Sequence, residues 1–112
     1  MEMKTSIGEL QVRAYNNSKN KGFHDEPRSF GDLIALIHSE LSEALEEFRD
    51  GRHPNLDYQV GAKPAGIPSE MADVVIRVMD LCGRYGIDLE NAILTKMEYN
   101  ETRPYRHGGK TL

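Results

Sequence analysis

The chain has 112 residues, 18 acidic and 14 basic, giving a formal net charge of -4, and 38% of it is hydrophobic. That length sets a single domain, 1–112, with a modest core. The charge excludes the broad basic field that holds a nucleic-acid polymer, and no stretch approaches the roughly 18 apolar residues of a membrane span. The apolar fraction is also lean for a self-sufficient helical core, which points to apolar surface buried against another subunit.

The one cysteine, Cys82, permits no intramolecular disulfide and falls in an apolar run, as a small core residue would. The first residues, Met1-Glu2-Met3-Lys4-Thr5, lack the apolar run of a signal peptide. Together these features give a cytoplasmic location as the expectation.

Taken in chain order, Ser6-Ile7-Gly8-Glu9 has the form of a capping box, so a first helix is predicted from Ser6 to about Lys19, before Gly22. Residues 22–28 form a connector. Ser29 then caps a second helix with Asp32 in its first turn, where a negative charge suits the helix dipole. Its apolar positions, from Phe30 and Leu33 to Leu45 and Phe48, recur every three or four residues. At about 100° per residue they cover one arc, with Glu40, Glu43 and Glu47 together on one flank and Glu46 on the far side. This helix should end near Asp50-Gly51.

Residues 51–68 contain three prolines and three glycines, which predict a long loop without a regular element. A loop of that length in a small domain is usually functional or disordered. Lys63 lies within it, either to reach a phosphate or simply to be solvated.

A third helix is predicted from Pro68-Ser69 to Arg84. Its wide apolar arc (Met71, Val74, Val75, Val78, Met79, Leu81, Cys82, extended by Ile76) implies burial over most of its circumference, leaving Glu70, Asp73, Arg77 and Asp80 as a polar stripe. Gly86 breaks the chain, Asp88 caps a fourth helix from Leu89 to about Thr102, and Pro104 stops it. On that helix Lys96, Asn100 and Arg103 continue the side begun by Leu89 and Ile93. Either the helix passes from the core into a cavity lined for an anion, or it leaves the core and exposes its last turns. The tail from Tyr105 to Lys110 is basic and glycine-rich, fit to fold over a phosphate or to stay loose. His24, His38, His53 and His107 lack the spacing of a zinc site, and most should lie at the surface.

The chemistry is carried by two short acidic patterns, Glu40-x-x-Glu43 and Glu70-x-x-Asp73. Residues three apart on a helix share a side, so each helix presents a pair of oxygen ligands. If the helices pack side by side, four carboxylates converge, and a hard divalent cation such as Mg²⁺ is what such a set holds.

Two such pairs separated by twenty-six residues, followed by Gly86-Ile87-Asp88-Leu89-Glu90 and then Lys96, Asn100 and Arg103, resemble the MazG-like nucleoside triphosphate pyrophosphohydrolases. The resemblance covers about Phe30 to Lys110. It implies an all-α, four-helix-bundle-like fold with antiparallel helices, assembled as a homodimer or homotetramer. It also implies Mg²⁺-dependent hydrolysis (Mn²⁺ as a substitute) of a nucleoside triphosphate between the α and β phosphates. Glu40, Glu43, Glu70 and Asp73 would hold the metal, and Glu43 or Glu40 would act as base. Lys96, Asn100, Arg103 and Lys63 would bind the substrate.

Many members of that family carry a further glutamate where Ser39 stands here. Either Glu47 takes its place or a single metal is bound. A phosphoribosyl-ATP pyrophosphohydrolase-like or dUTPase-like relative is the alternative within the resemblance. A non-catalytic helical interaction module is the alternative outside it. The base preference is not stated by the residues; Phe23, Phe30, Tyr58, Tyr99 and Tyr105 are the rings available for stacking.

Overall fold

Helix formation follows the capping chemistry closely. In the computed structural model, which describes residues 5–105, α1 spans Ile7–Asn20. The Glu9 amide donates to Ser6 Oγ at 3.1 Å and the Ser6 amide to Glu9 Oε1 at 3.3 Å, the reciprocal pair of a capping box. Helix α2 spans Phe30–Arg49, with the Asp32 amide donating to Ser29 Oγ at 3.0 Å. Helix α4 spans Leu89–Glu101, with the Asn91 amide on Asp88 Oδ1 at 3.1 Å. The ends of α1 and α2 fall within a residue or so of where the sequence puts them.

Those ends, and the end of α3, share one device. Gly22, Gly51 and Gly86 all have positive φ, and the amide of the next residue reaches back to a carbonyl of the last turn: Phe23 to Ser18, Arg52 to Glu47 and Ile87 to Cys82. This is the glycine-closed helix end, in which a residue without Cβ takes the left-handed conformation.

Helix α3 spans Ile67–Arg84, within a residue of its predicted start, with Pro68 in the first turn. Gly66 stands at the cap with φ 99° and no side-chain bond, while Ser69 donates its hydroxyl to the Pro64 carbonyl at 3.2 Å. The segment before it is where the sequence expectation needs correcting, because it is not structureless. Strands β1 (Tyr58–Val60) and β2 (Lys63–Ala65) form an antiparallel hairpin around Gly61-Ala62. Pro64 is tolerated because it pairs with Gln59, next to the pair that closes the turn, where strand N–H groups point away from the partner.

The hairpin is fastened to α2. Tyr58 donates its hydroxyl to Glu47 at 3.0 Å, and Arg52 pairs with the same carboxylate at 3.2 Å. Glycine is required at 66, since a Cβ there would run into the Leu56 carbonyl.

Helix α3 is the centre of the packing, with α1 on one side and α2 on the other; α4 lies mainly against α1. Leu33, Leu81 and Cys82 form the buried cluster, with Phe23, Ile34, Leu36, Ile37, Val78 and Leu89 packed around it. At Gly83 the helices α1 and α3 approach so closely that a Cβ would stand 2.6 Å from Tyr15 Cβ.

The chain is mostly helical, and among the described residues no helix is long and apolar enough to cross a membrane. The apolar arc of α3 is not buried over most of its circumference, however. Met71, Val75 and Ile76 are exposed, as are Leu41, Leu45 and Phe48 of α2 and Leu94 and Met97 of α4. The radius of gyration, 16.7 Å, also exceeds the roughly 13–14 Å of a compact domain this size.

Candidate metal centre

Helix periodicity and the packing of α2 on α3 build the site. Glu40 and Glu43 share one side of α2, and Glu70 opens the first turn of α3. Each of the three offers a carboxylate oxygen, and the three oxygens lie within 4.8 Å of one another. Like charges at that spacing repel by about 3–4 kcal/mol per pair at an effective dielectric constant of about 20, so they need compensation.

Two kinds of compensation are visible. Arg77 Nε donates to Glu40 Oε1 at 2.7 Å, and the Glu40 side chain is only 12% exposed. Glu70 responds by holding its proton. Burial first, then a hydrogen bond with Glu43 and the charges of Glu43, Asp73 and Glu40, push its carboxyl up to about 7. Glu70 Oε2 is nonetheless buried without a hydrogen-bond partner among the described residues. An all-oxygen set drawn from two helices, with one oxygen buried and unsatisfied, has the chemistry that Mg²⁺ or Mn²⁺ selects.

Asp73 stands one turn beyond Glu70 and does not join the 4.8 Å group. It is in the same field: burial and then Glu40 raise its pKa, Arg77 lowers it, Glu43 raises it and Lys63 lowers it. Lys63, on the hairpin, is therefore close enough to act on the cluster, although its side chain is exposed. Glu47 does not join the 4.8 Å group either. It lies a turn further on and is taken up by Tyr58 and Arg52. Glu46 faces solvent and pairs with Arg49.

Beside the carboxylates lies a cavity of about 310 Å³ between α1 and α3. Asn17, Ser18 and Lys21 line it from α1 and Phe23 from the connector. Glu40, Asp73, Arg77 and Asp80 line the facing wall. Of the five aromatic rings available for stacking, only Phe23 reaches this cavity.

The cation–amide stripe of α4 is placed elsewhere. Lys96, Asn100 and Arg103 are exposed, and none lines this cavity. Lys96 and Arg103 instead stand over the Tyr99 ring at 5.4 and 5.9 Å. The inward side of α4 thus ends with Leu89 and Ile93, and the helix leaves the core. Most of the basic tail, from Arg106 on, lies outside the described residues.

Sequence reasoning passed over Arg77 and Asp80 as members of a polar stripe. Their register was the available signal, because Arg77 is one turn beyond Asp73 and two beyond Glu70 on the same side of α3. His24 is a second omission. His38 and His53 are exposed, as anticipated, but the His24 side chain is 8% exposed. Arg84 donates to His24 Nδ1 at 2.8 Å, so Nε2 carries the ring proton and donates it to Asp80 Oδ1 at 2.8 Å. His107 lies outside the described residues.

No protein-family model, curated protein or solved structure matches the chain.

Proposed function

We propose that the protein is a divalent-cation-dependent nucleoside triphosphate pyrophosphohydrolase of MazG-like type, cleaving between the α and β phosphates. The observation that carries this reading is the convergence of Glu40, Glu43 and Glu70 from two helices within 4.8 Å, with a buried, unpartnered oxygen on Glu70. Glu40, Glu43 and Glu70 would hold the cation, with Asp73 at the edge of the set. Bound there, Mg²⁺ would supply Lewis-acid polarisation of a phosphoryl oxygen and a more acidic water.

The residues divide the remaining work by their surroundings. Glu40 is held by Arg77, which fixes its orientation. Glu43 is exposed and has no ion pair among the described residues, so it is the freer carboxylate to take a proton from the attacking water. Glu70, whose carboxyl is pushed up to about 7, would have to give up its proton to serve as a ligand. Lys63 lies on the cluster's hairpin side, where it can approach a phosphate.

A homo-oligomer belongs to the same proposal. Leu41, Leu45 and Phe48 of α2 and Met71, Val75 and Ile76 of α3 are exposed, and a second copy would bury them. Lys96, Asn100 and Arg103 would then serve substrate by facing a neighbouring subunit's site.

The test is a panel of ribo- and deoxynucleoside triphosphates, with phosphoribosyl-ATP included, assayed for pyrophosphate release with and without Mg²⁺. Release that depends on Mg²⁺ and is lost in Glu43→Gln and Glu70→Gln supports the proposal. A folded protein that releases pyrophosphate from no member of the panel sinks it in favour of a non-catalytic helical module.

A further inference from the structure

We propose that Arg77 is the anion-binding group of the cavity beside the carboxylates, taking a phosphate oxygen of the ligand once a divalent cation has compensated Glu40, Glu43 and Glu70. The inference rests on the metal-centre reading above and adds to it the residue that grips the anion and the order in which it does so.

The geometry of the guanidinium is the starting point. Arg77 spends its Nε–H on Glu40 at 2.7 Å. A guanidinium has five N–H donors in a fixed fork, and the four on the two terminal nitrogens make no hydrogen bond among the described residues. The side chain is 34% exposed and forms part of the cavity wall. One edge of Arg77 is thus pinned to the metal-ligand set while its remaining donors are available to the cavity. That is the arrangement suited to a phosphoryl group, two of whose oxygens can pair side by side with the fork.

The surrounding charges set the order. Glu40, Asp73 and Asp80 share the cavity wall with Arg77. Asp80 is already engaged by His24, but Glu40 and Asp73 remain in the field of the guanidinium. An incoming polyanion would meet those carboxylates first and be repelled. A cation bound among Glu40, Glu43 and Glu70 removes that repulsion and weakens the hold of Glu40 on Arg77. Lys21 lies on the opposite wall, so the cavity then offers positive charge from both sides. Cations and carboxylates thus meet in this cavity, whereas the α4 stripe does not line it.

The experiment is titration calorimetry on the full chain. Mn²⁺ is titrated alone, followed by inorganic pyrophosphate, a nucleotide with a methylene bridge between its α and β phosphates, and a nucleoside without phosphate. Each is measured with and without Mn²⁺ on wild type, Arg77→Gln and Arg77→Lys. Wild type should bind the two phosphate ligands only when Mn²⁺ is present. At saturating Mn²⁺, Arg77→Gln should lose on the order of tenfold to a hundredfold in affinity for both phosphate ligands, the range of a charged hydrogen-bonding group, and this loss should exceed any it shows in Mn²⁺ affinity through its hold on Glu40. Arg77→Lys, which keeps the charge without the fork, should fall between, and it carries the comparison if the glutamine variant melts too low to titrate. The nucleoside should be indifferent to the substitution.

A loss of Mn²⁺ affinity in Arg77→Gln as steep as the loss of phosphate affinity would overturn the inference, because Arg77 would then only position Glu40. Unchanged phosphate affinity would overturn it as well. Wild-type protein that takes up no Mn²⁺ at all would instead remove the metal-centre reading on which this one stands.

Discussion

Glu70 of α3 brings a carboxylate oxygen within 4.8 Å of one from Glu43 of α2, and its carboxyl, desolvated and facing other acids, is pushed up to about 7, well above the usual carboxylate range. The native chain therefore keeps a proton on Glu70 through a range where the unfolded chain has lost it. Between pH 4.5 and about 7 the native state binds more protons, so this group's contribution to stability falls as pH rises, and above about 7 the loss is complete. Asp73, also raised, acts in the same direction. In a chelator, Glu70→Gln should melt higher than wild type, by an amount that grows from pH 5 to pH 8. A melting difference that is flat with pH would deny the burial of this proton.

The same proton opposes cation binding, since a ligating carboxylate must be charged. Mn²⁺ affinity should rise with pH up to about 7 and level off beyond it. At pH 6, binding should release close to one proton per ion, which calorimetry in two buffers of different ionisation enthalpy reads directly. Glu70→Gln should abolish that release and weaken Mn²⁺ binding by roughly tenfold or more, the scale of losing one charged ligand. Glu47→Gln, by contrast, should leave Mn²⁺ affinity unchanged, because Glu47 is committed to Tyr58 and Arg52.

These assignments show where the sequence was legible and where it was not. Helix ends were readable because caps are local: Ser6, Ser29 and Asp88, with Gly22, Gly51 and Gly86, settle them through bonds spanning three to five residues. The pairing of Glu40 and Glu43 with Glu70 was readable because helical spacing aims each set in one direction, and the packing of α2 on α3 did the rest. The hairpin was hidden because the bond that fastens it to α2, from Tyr58 to Glu47, spans eleven residues and leaves no local mark in the sequence. The course of α4 stayed open between two readings for a related reason. Wheel position tells which residues share a side, but not how far along the helix its partner extends, and α4 runs out past α1 after Ile93.

His24 gives a prediction that separates fold from site. Its ring sits between Tyr15 and Phe23, both with centroids 5.1 Å away, while its two nitrogens join Arg84 and Asp80. This ties the α1–α2 connector to α3. His24→Ala would leave Asp80 buried without its donor and a gap beneath two rings, costing about 2–4 kcal/mol. Urea unfolding measures it. Mn²⁺ affinity in the folded variant should stay within about twofold, since His24 touches none of the three clustered carboxylates.

Gly83→Ala tests the close approach of α1 to α3 by the sign of its effect. In an open helix the change would stabilise by up to about 1 kcal/mol. Here the new Cβ would meet Tyr15 Cβ at 2.6 Å, and α1 would have to move away from α3. Overpacking of that kind costs about 1–3 kcal/mol, so the variant should be destabilised. The same substitution made together with Tyr15→Ala should lose most of that penalty, and a cycle of four urea curves reads the coupling.

The apolar face of α2 carries the last prediction. Leu41, Leu45 and Phe48 recur at intervals of four and three, so they lie along one side of the helix, and they are 45%, 55% and 57% exposed. Ala44, their neighbour in sequence, is buried, so the exposure belongs to a particular face and not to a loosely packed helix end. Covering three such side chains removes apolar area at about 25 cal/mol per Å², enough to favour association if the partner face is also apolar. The exposed Met71 and Val75 of α3 supply that character in a second copy. Wild type should sediment as a dimer or larger at micromolar concentration. Leu45→Glu should shift it toward monomer while leaving the helical circular dichroism intact, because Leu45 makes no part of the buried cluster. A wild-type monomer at all concentrations would show that this face stays in water, and the spread of the chain would then have to be a property of the free subunit.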